Sequence, residues 1–221
     1  MKNTKVLELL NNGEIEELKA LLKKEIYEDN LKGNGNAMKR YSAMKRYFKY
    51  KDKNRNLAFN LPCKNIKVNG KIYNSFIDGY SFVLTSESIG EIEAYDDSKN
   101  AYPNVEKMVD FSSYDRSILN IDEILAEAKS KGYQYKKSEI GDNESKYFLH
   151  YKNIYLKIGL IDKTYNIIDD GKIATVYYKN ERSPLFIETN MGIAAVLPCI
   201  KVKTNEKNNY RSKRGGIRLR N

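Results

Sequence analysis

The chain has 221 residues, 41% of them hydrophobic, and a formal net charge of +10. That length suits one sizeable domain or two small ones, the apolar fraction excludes wholesale disorder, and the absence of any run of about 18 apolar residues excludes a helical membrane span. The charge is concentrated: residues 37–56 and 201–221 each carry eight Lys/Arg against one acid, and the rest is slightly acidic, a clustering that fits a polyanionic partner.

Met1–Glu8 carries an early glutamate and no apolar signal core, so a cytoplasmic location is expected. Residues 1–30 read as helical, with Asn11-Asn12-Gly13 as a break. Ile15, Leu18, Leu22 and Ile26 form one apolar stripe, while Glu14, Glu16, Glu17, Lys19 and Lys23 take the remaining positions. Acids and bases nearly cancel there, which points to packing or protein contact rather than DNA. Gly33-Asn34-Gly35-Asn36 is a joint, so residues 1–36 form a helical extension and linker.

Ala37–Tyr50 repeats Met-Lys-Arg-Tyr at Met38–Tyr41 and Met44–Tyr47. As a helix it places Ala37, Tyr41, Met44 and Phe48 on one face, and Lys39, Lys45, Arg46 and Lys49 on an adjoining arc of about 120°. The first face suits a sheet; the second suits phosphate. Tyr47 and Tyr50 lie beside the basic arc, where stacking on bases competes with core packing.

A β meander is expected over Leu57–Leu61, Ile66–Val68, Lys71–Ile77 and Phe82–Thr85, with Ile92–Tyr95 as a further candidate. Asn69-Gly70 and Asp78-Gly79 mark its turns. Ser98–Pro103 reads as loop. Ile121–Lys131 reads as a helix capped by Asn120, with Asp122 and Glu123 in its first turn and Lys129 and Lys131 in its last. A strand near Tyr133–Lys137 is a further candidate. Phe148–Tyr151 reads as a strand, and Asn153 as the cap of a helix carrying Ile154, Ile158, Ile161, Tyr165 and Ile168. Asp169-Asp170-Gly171 ends that helix. Ala174–Tyr178, Leu185–Thr189 and Ile193–Leu197 read as strands, the last two separated by Asn190-Met191-Gly192. Leu61-Pro62-Cys63 recurs as Leu197-Pro198-Cys199, which hints at an internal repeat of a helix followed by strands. Beyond residue 203 no core periodicity remains. The tail 204–221 holds Arg211, Lys213, Arg214, Arg218 and Arg220 around Gly215-Gly216, a composition that binds nucleic acid electrostatically.

Five segments, in order, resemble the bacterial sliding clamp, the beta subunit of DNA polymerase III. Ile77-Asp78-Gly79-Tyr80-Ser81-Phe82 is similar to the family's Thr-Asp-Gly-His-Arg-Leu turn, and Tyr102-Pro103-Asn104-Val105 to its Tyr-Pro-Asp-Tyr segment. Tyr155-Leu156 followed by Ser183-Pro184-Leu185-Phe186-Ile187 resembles its helix-opening Tyr-Leu and its Pro-Leu-x-Ile strand. Ala195-Val196-Leu197-Pro198 resembles its closing hydrophobic-Met-Pro strand, with Leu197 in place of the Met. The resemblance spans roughly residues 70–202 and implies an α+β fold with helices facing DNA and strands outside, in a chain with room for fewer such domains than a family member carries. Residues 37–203 would form this domain.

No catalytic chemistry stands out. His150 is the sole histidine and lies in an expected strand, while Cys63 and Cys199 form neither a disulfide framework nor a metal-ligand spacing. No phosphate-cradling glycine loop is present. Asp96-Asp97 and Asp169-Asp170 occupy turn contexts, where Asp is common for backbone reasons. The expectation is a cytoplasmic, non-enzymatic protein without cofactor, contacting DNA through Lys39, Lys45, Arg46, Lys49 and the tail, and assembling as a homo-oligomer if it forms a ring. Small size and a shortened middle suit a phage or mobile-element protein. The alternative is an adaptor or antagonist whose N-terminal helices engage host replication or defence machinery. A third reading is a nuclease built on the Asp pairs.

Overall fold

The computed structural model describes residues 2–47, 61–95, 101–132 and 148–199. The expected strands over 57–60 and near Tyr133–Lys137, the pair Asp96-Asp97, and Lys49, Arg211, Lys213, Arg214, Arg218 and Arg220 lie outside them.

Asn69-Gly70 turns strand β1 (Cys63–Val68) onto β2 (Lys71–Ile77). Both turn residues have positive φ, 49° and 79°, the geometry that matches the twist of a two-residue hairpin. Asp78-Gly79 then returns the chain as β3 (Ser81–Thr85). Here the Asp78 carboxylate accepts from the Tyr80 and Ser81 N–H groups at 3.0 and 2.8 Å, so the side chain shapes the turn. Farther along lie β4 (Asp115–Leu119), β5 (Phe148–Tyr151), β6 (Ile154–Lys157), β7 (Ala174–Tyr178), β8 (Leu185–Thr189) and β9 (Gly192–Val196). Seven strands form one antiparallel sheet in the order β1-β2-β3-β9-β8-β7-β4, and β5 and β6 form a separate ribbon. The central seam pairs β3 with β9, Ser81 opposite Val196 through Thr85 opposite Gly192.

The central strands β3, β8 and β9 are almost wholly buried, because both sheet faces are covered. On one face Phe76, Val83, Val176, Leu185, Ile187, Ala194 and Val196 pack against helices α3 (Gly35–Tyr47) and α5 (Ile158–Ile168). These two helices also pack against each other. On the opposite face Phe82, Leu84, Phe186, Ile193 and Ala195 lie under the segment 101–114, through Val105, Val109, Phe111 and Tyr114. That segment contains one 3-10 turn, Glu106–Met108. Helix α4 (Ile121–Ser130) begins where expected: the Asn120 side chain accepts from the Glu123 N–H. The Tyr165 hydroxyl on α5 donates to Asp122 at 3.2 Å and ties α4 to α5.

The structure departs from expectation at two elements and adds to it at two others. Ile154–Lys157 is a strand, with the α5 helix starting only at Ile158. Ile154 and Leu156 alternate inward as readily as they match a helical stripe, and the tight Lys152-Asn153 connection brings β6 back onto β5. Asp115–Leu119, a polar edge strand, was missed. Ile92–Tyr95 is irregular, with two backbone bonds, Ile92 N–H to the Ile89 carbonyl and Tyr95 N–H to the Pro62 carbonyl. The stripe on α2 (Ile15–Leu31) faces outward: Leu18 is buried, but Ile15, Leu22 and Ile26 are exposed.

Helix α2 and the preceding α1 (Lys2–Asn11) reach the sheet-bearing body through Tyr27. Its hydroxyl donates to the Ser88 carbonyl at 3.0 Å, and its ring meets Tyr41 edge-on at 5.0 Å. Gly90 lies so close that a Cβ there would come within 2.5 Å of the Tyr27 ring. Gly90→Ala is therefore expected to displace Tyr27 and cost about 1–2 kcal/mol. Amide exchange should accelerate across Ile15–Leu31 while α5 amides keep their protection; unchanged exchange in α2 would count against this attachment.

Candidate functional site

Helix α3 carries the basic residues expected to meet phosphate, and its burial follows its spacing. Ala37, Tyr41, Met44 and Tyr47 are buried, so Tyr47 is a core residue and not an exposed stacking ring. Its hydroxyl bonds Ser81 at 3.1 Å to the carbonyl and 3.0 Å to the hydroxyl. Arg40 shares the buried side, three positions after Ala37 and four before Met44. It donates to Glu87 at 2.6 Å and to the Asp169 carbonyl at 3.0 Å. The i, i+3, i+4, i+7 spacing places Arg40 inward, apart from the cationic arc.

The expected cationic arc has partners within the protein. Lys39 bonds Asp169 at 2.6 Å with its side chain half exposed. Lys45 bonds Glu28 of α2 at 2.9 Å and lies 4.6 Å above the Tyr41 ring. Arg46 is exposed, donates Nε–H to the Ser42 carbonyl at 3.3 Å, and with Ala43, Asp162, Lys163 and Asn166 lines the groove between α3 and α5. Three basic residues of one helix thus share a surface with the carboxylates of Glu28, Asp162 and Asp169.

Asp169 and Asp170 shape the turn after α5. Asp169 also accepts from the Gly171 N–H at 2.8 Å, and Asp170 accepts from the Lys172 and Asn190 N–H groups at 3.0 and 3.2 Å. Burial pushes the Asp169 carboxyl up, but the Lys39 ammonium and the Gly171 N–H outweigh it and hold it below the ordinary 3.8. A group depressed in the folded state adds stability above its unfolded value and loses it as pH falls through the folded value. Lys39→Met is therefore expected to lower stability at pH 7 by at most about 1 kcal/mol, given the exposed ammonium. The gap between variant and parent should close as the pH drops below about 4; a gap that persists in acid would assign it to packing.

Three of the stretches that carry the clamp resemblance, around Tyr80, Leu197 and Tyr155, meet at one end of the sheet. The Leu197 N–H donates to the Tyr80 carbonyl at 2.9 Å, and the Cys199 N–H to the Tyr155 carbonyl at 2.7 Å. Tyr80 and Leu197 are 44% and 40% exposed, leaving an apolar rim. Beneath it, Lys163 bonds Asp78 at 2.6 Å with both side chains nearly buried, at 8% and 11%. The Lys163 ammonium also lies 4.3 Å over the Tyr47 ring. The Tyr102 segment lies on the other sheet face, its hydroxyl donating to the Ser75 carbonyl at 3.2 Å. Burial raises the pKa of that phenol well above its usual value. On the β5–β6 ribbon the exposed His150 stacks on Tyr155 at 4.5 Å and 15°.

No family model matches the chain, and no curated protein is significantly similar to it. Among solved structures it is similar to the "Putative DNA polymerase III beta subunit" of Eubacterium rectale, at 13% identity and a TM-score of 0.47. The match covers 74% of this chain and 64% of that one, less than two thirds of its length.

Proposed function

We propose that the chain is a non-enzymatic, DNA-associated protein with a sliding-clamp-like domain that holds the phosphate backbone without reading sequence. The observation supporting it is the placement of the resembling segments. The Leu197–Cys199 segment is bonded both to the Asp78–Phe82 turn and to the Tyr155 strand. The paired helices α3 and α5 cover one face of the antiparallel sheet beside them. Phosphate contacts of this kind orient a protein on DNA but carry no sequence information.

In this reading phosphate competes with Asp169 for Lys39 and with Glu28 for Lys45, so Arg46, Lys49 and the tail cations contribute most. The test is affinity against salt on linear and nicked circular duplexes, for the full chain and for one ending at Lys203. That truncation removes Lys207, Arg211, Lys213, Arg214, Arg218 and Arg220. The slope of log affinity on log salt should fall by up to about 5. Retention on circles with loss from linear ends means encirclement. A ring further needs copies joined through the sheet edges β1 and β4, and light scattering that finds only monomer at high concentration would remove it. Absence of DNA binding would overturn the proposal.

A second reading, an adaptor that engages a protein, is favoured by the outward apolar residues of α1 and α2: Leu7, Leu10, Ile15, Leu22 and Ile26. Loss of partner capture in a Leu22→Glu, Ile26→Glu variant, with DNA binding unchanged, is the outcome that would favour it.

A further inference from the structure

The β5–β6 ribbon has two unlike faces. Inward, Ile154 and Leu156 are buried, with Leu149 and Tyr151 packed beside them against the core. On the other face His150 stands directly opposite Tyr155; Lys157 pairs with Phe148, which itself packs against the core. Core packing accounts for the first face. It does not account for an exposed imidazole laid nearly parallel to a phenol ring at 4.5 Å. The bond from the Cys199 N–H to the Tyr155 carbonyl brings the chain alongside this ribbon, and the segment that follows in sequence, 201–221, carries eight Lys/Arg against one acid.

We infer that the outward face of the β5–β6 ribbon, His150 stacked on Tyr155 beside Lys157, is a base-stacking platform for single-stranded nucleic acid. A base laid on the exposed side of the His150 ring continues the stack that Tyr155 begins. Lys157 holds the adjoining phosphate. Stacking of this kind tolerates any base, because every base has a π face. Duplex DNA cannot use the platform, since its bases already stack on one another. The inference rests on the nucleic-acid reading above and adds the strand form that one surface takes.

The test uses the full chain with a 20-nucleotide oligo-dT, an abasic strand of the same length and a duplex, across a salt series. His150→Ala and Tyr155→Leu are each expected to weaken oligo-dT binding by about tenfold. Their duplex affinity and salt slope should stay at the parent's values. The parent should bind the abasic strand about as weakly as the variants bind oligo-dT. His150 is exposed, so His150→Ala should melt with the parent and exclude misfolding as the cause. Variants that bind oligo-dT like the parent, in a protein that holds duplex, would overturn the platform and leave the proposed function standing. A parent that binds no strand in any form would overturn both.

Discussion

Asp78→Ala is expected to lower the stability of the folded protein by about 4 kcal/mol, because it strands the Lys163 ammonium inside the protein. The two side chains are almost fully covered, and the same carboxylate also accepts from the Tyr80 N–H, the Ser81 N–H and the Ser81 hydroxyl. One truncation therefore removes an ion pair, the turn that joins β2 to β3, and the anchor of α5. The melting temperature should fall by about 8–16 °C. Replacing both partners, Asp78→Asn with Lys163→Met, should cost less than Asp78→Ala alone, since no buried charge is then left without its counter-ion. A loss below about 1 kcal/mol in urea titration would show that the pair behaves like an exposed one.

Gly192→Ala is the second large effect expected, at about 3 kcal/mol or more. Gly192 opens β9 opposite Thr85 of β3 and Thr189 of β8. A Cβ at Gly192 would collide with the Leu84 carbonyl oxygen and come within 3.0 Å of Ile168 Cγ2 at the end of α5. The collision is with backbone in the middle of the sheet, where no side-chain rotation relieves it. The result to look for is early loss of amide protection at β3 and β9 together. A variant that melts with the parent would mean that the two strands part enough to admit a methyl group.

Local chemistry made much of the fold legible. Lys71–Ile77, Ala174–Tyr178 and Leu185–Thr189 have the bounds expected from their apolar runs, and Asn120 caps α4 as its side chain requires. The errors arose where two periods fit the same residues. Ile154, Ile158 and Ile161 satisfy a helical step, but Ile154 and Leu156 also alternate, and the ribbon partner Phe148–Tyr151 decided for strand. The strand Asp115–Leu119 gains its state from pairing with β7, a long-range partner that composition does not announce. The same limit governs the site. Lys39, Lys45 and Arg46 form an arc on one helix, but their carboxylate neighbours come from α2, from α5 and from the turn after α5. The Asp78–Lys163 pair was likewise invisible: each residue alone is an ordinary turn acid or helix lysine.

The β3–β9 seam also sets a timetable during synthesis. The first three strands leave the ribosome as a hairpin-linked set, and their inner edge, Phe82-Val83-Leu84, has no partner until Ile193-Ala194-Ala195 has been translated. At ordinary elongation rates that interval is on the order of ten seconds. Throughout it an apolar strand edge stands open to any extended chain nearby. The sheet therefore closes only near the end of translation, and a nascent chain halted before residue 192 should be the species most prone to pair with the wrong strand.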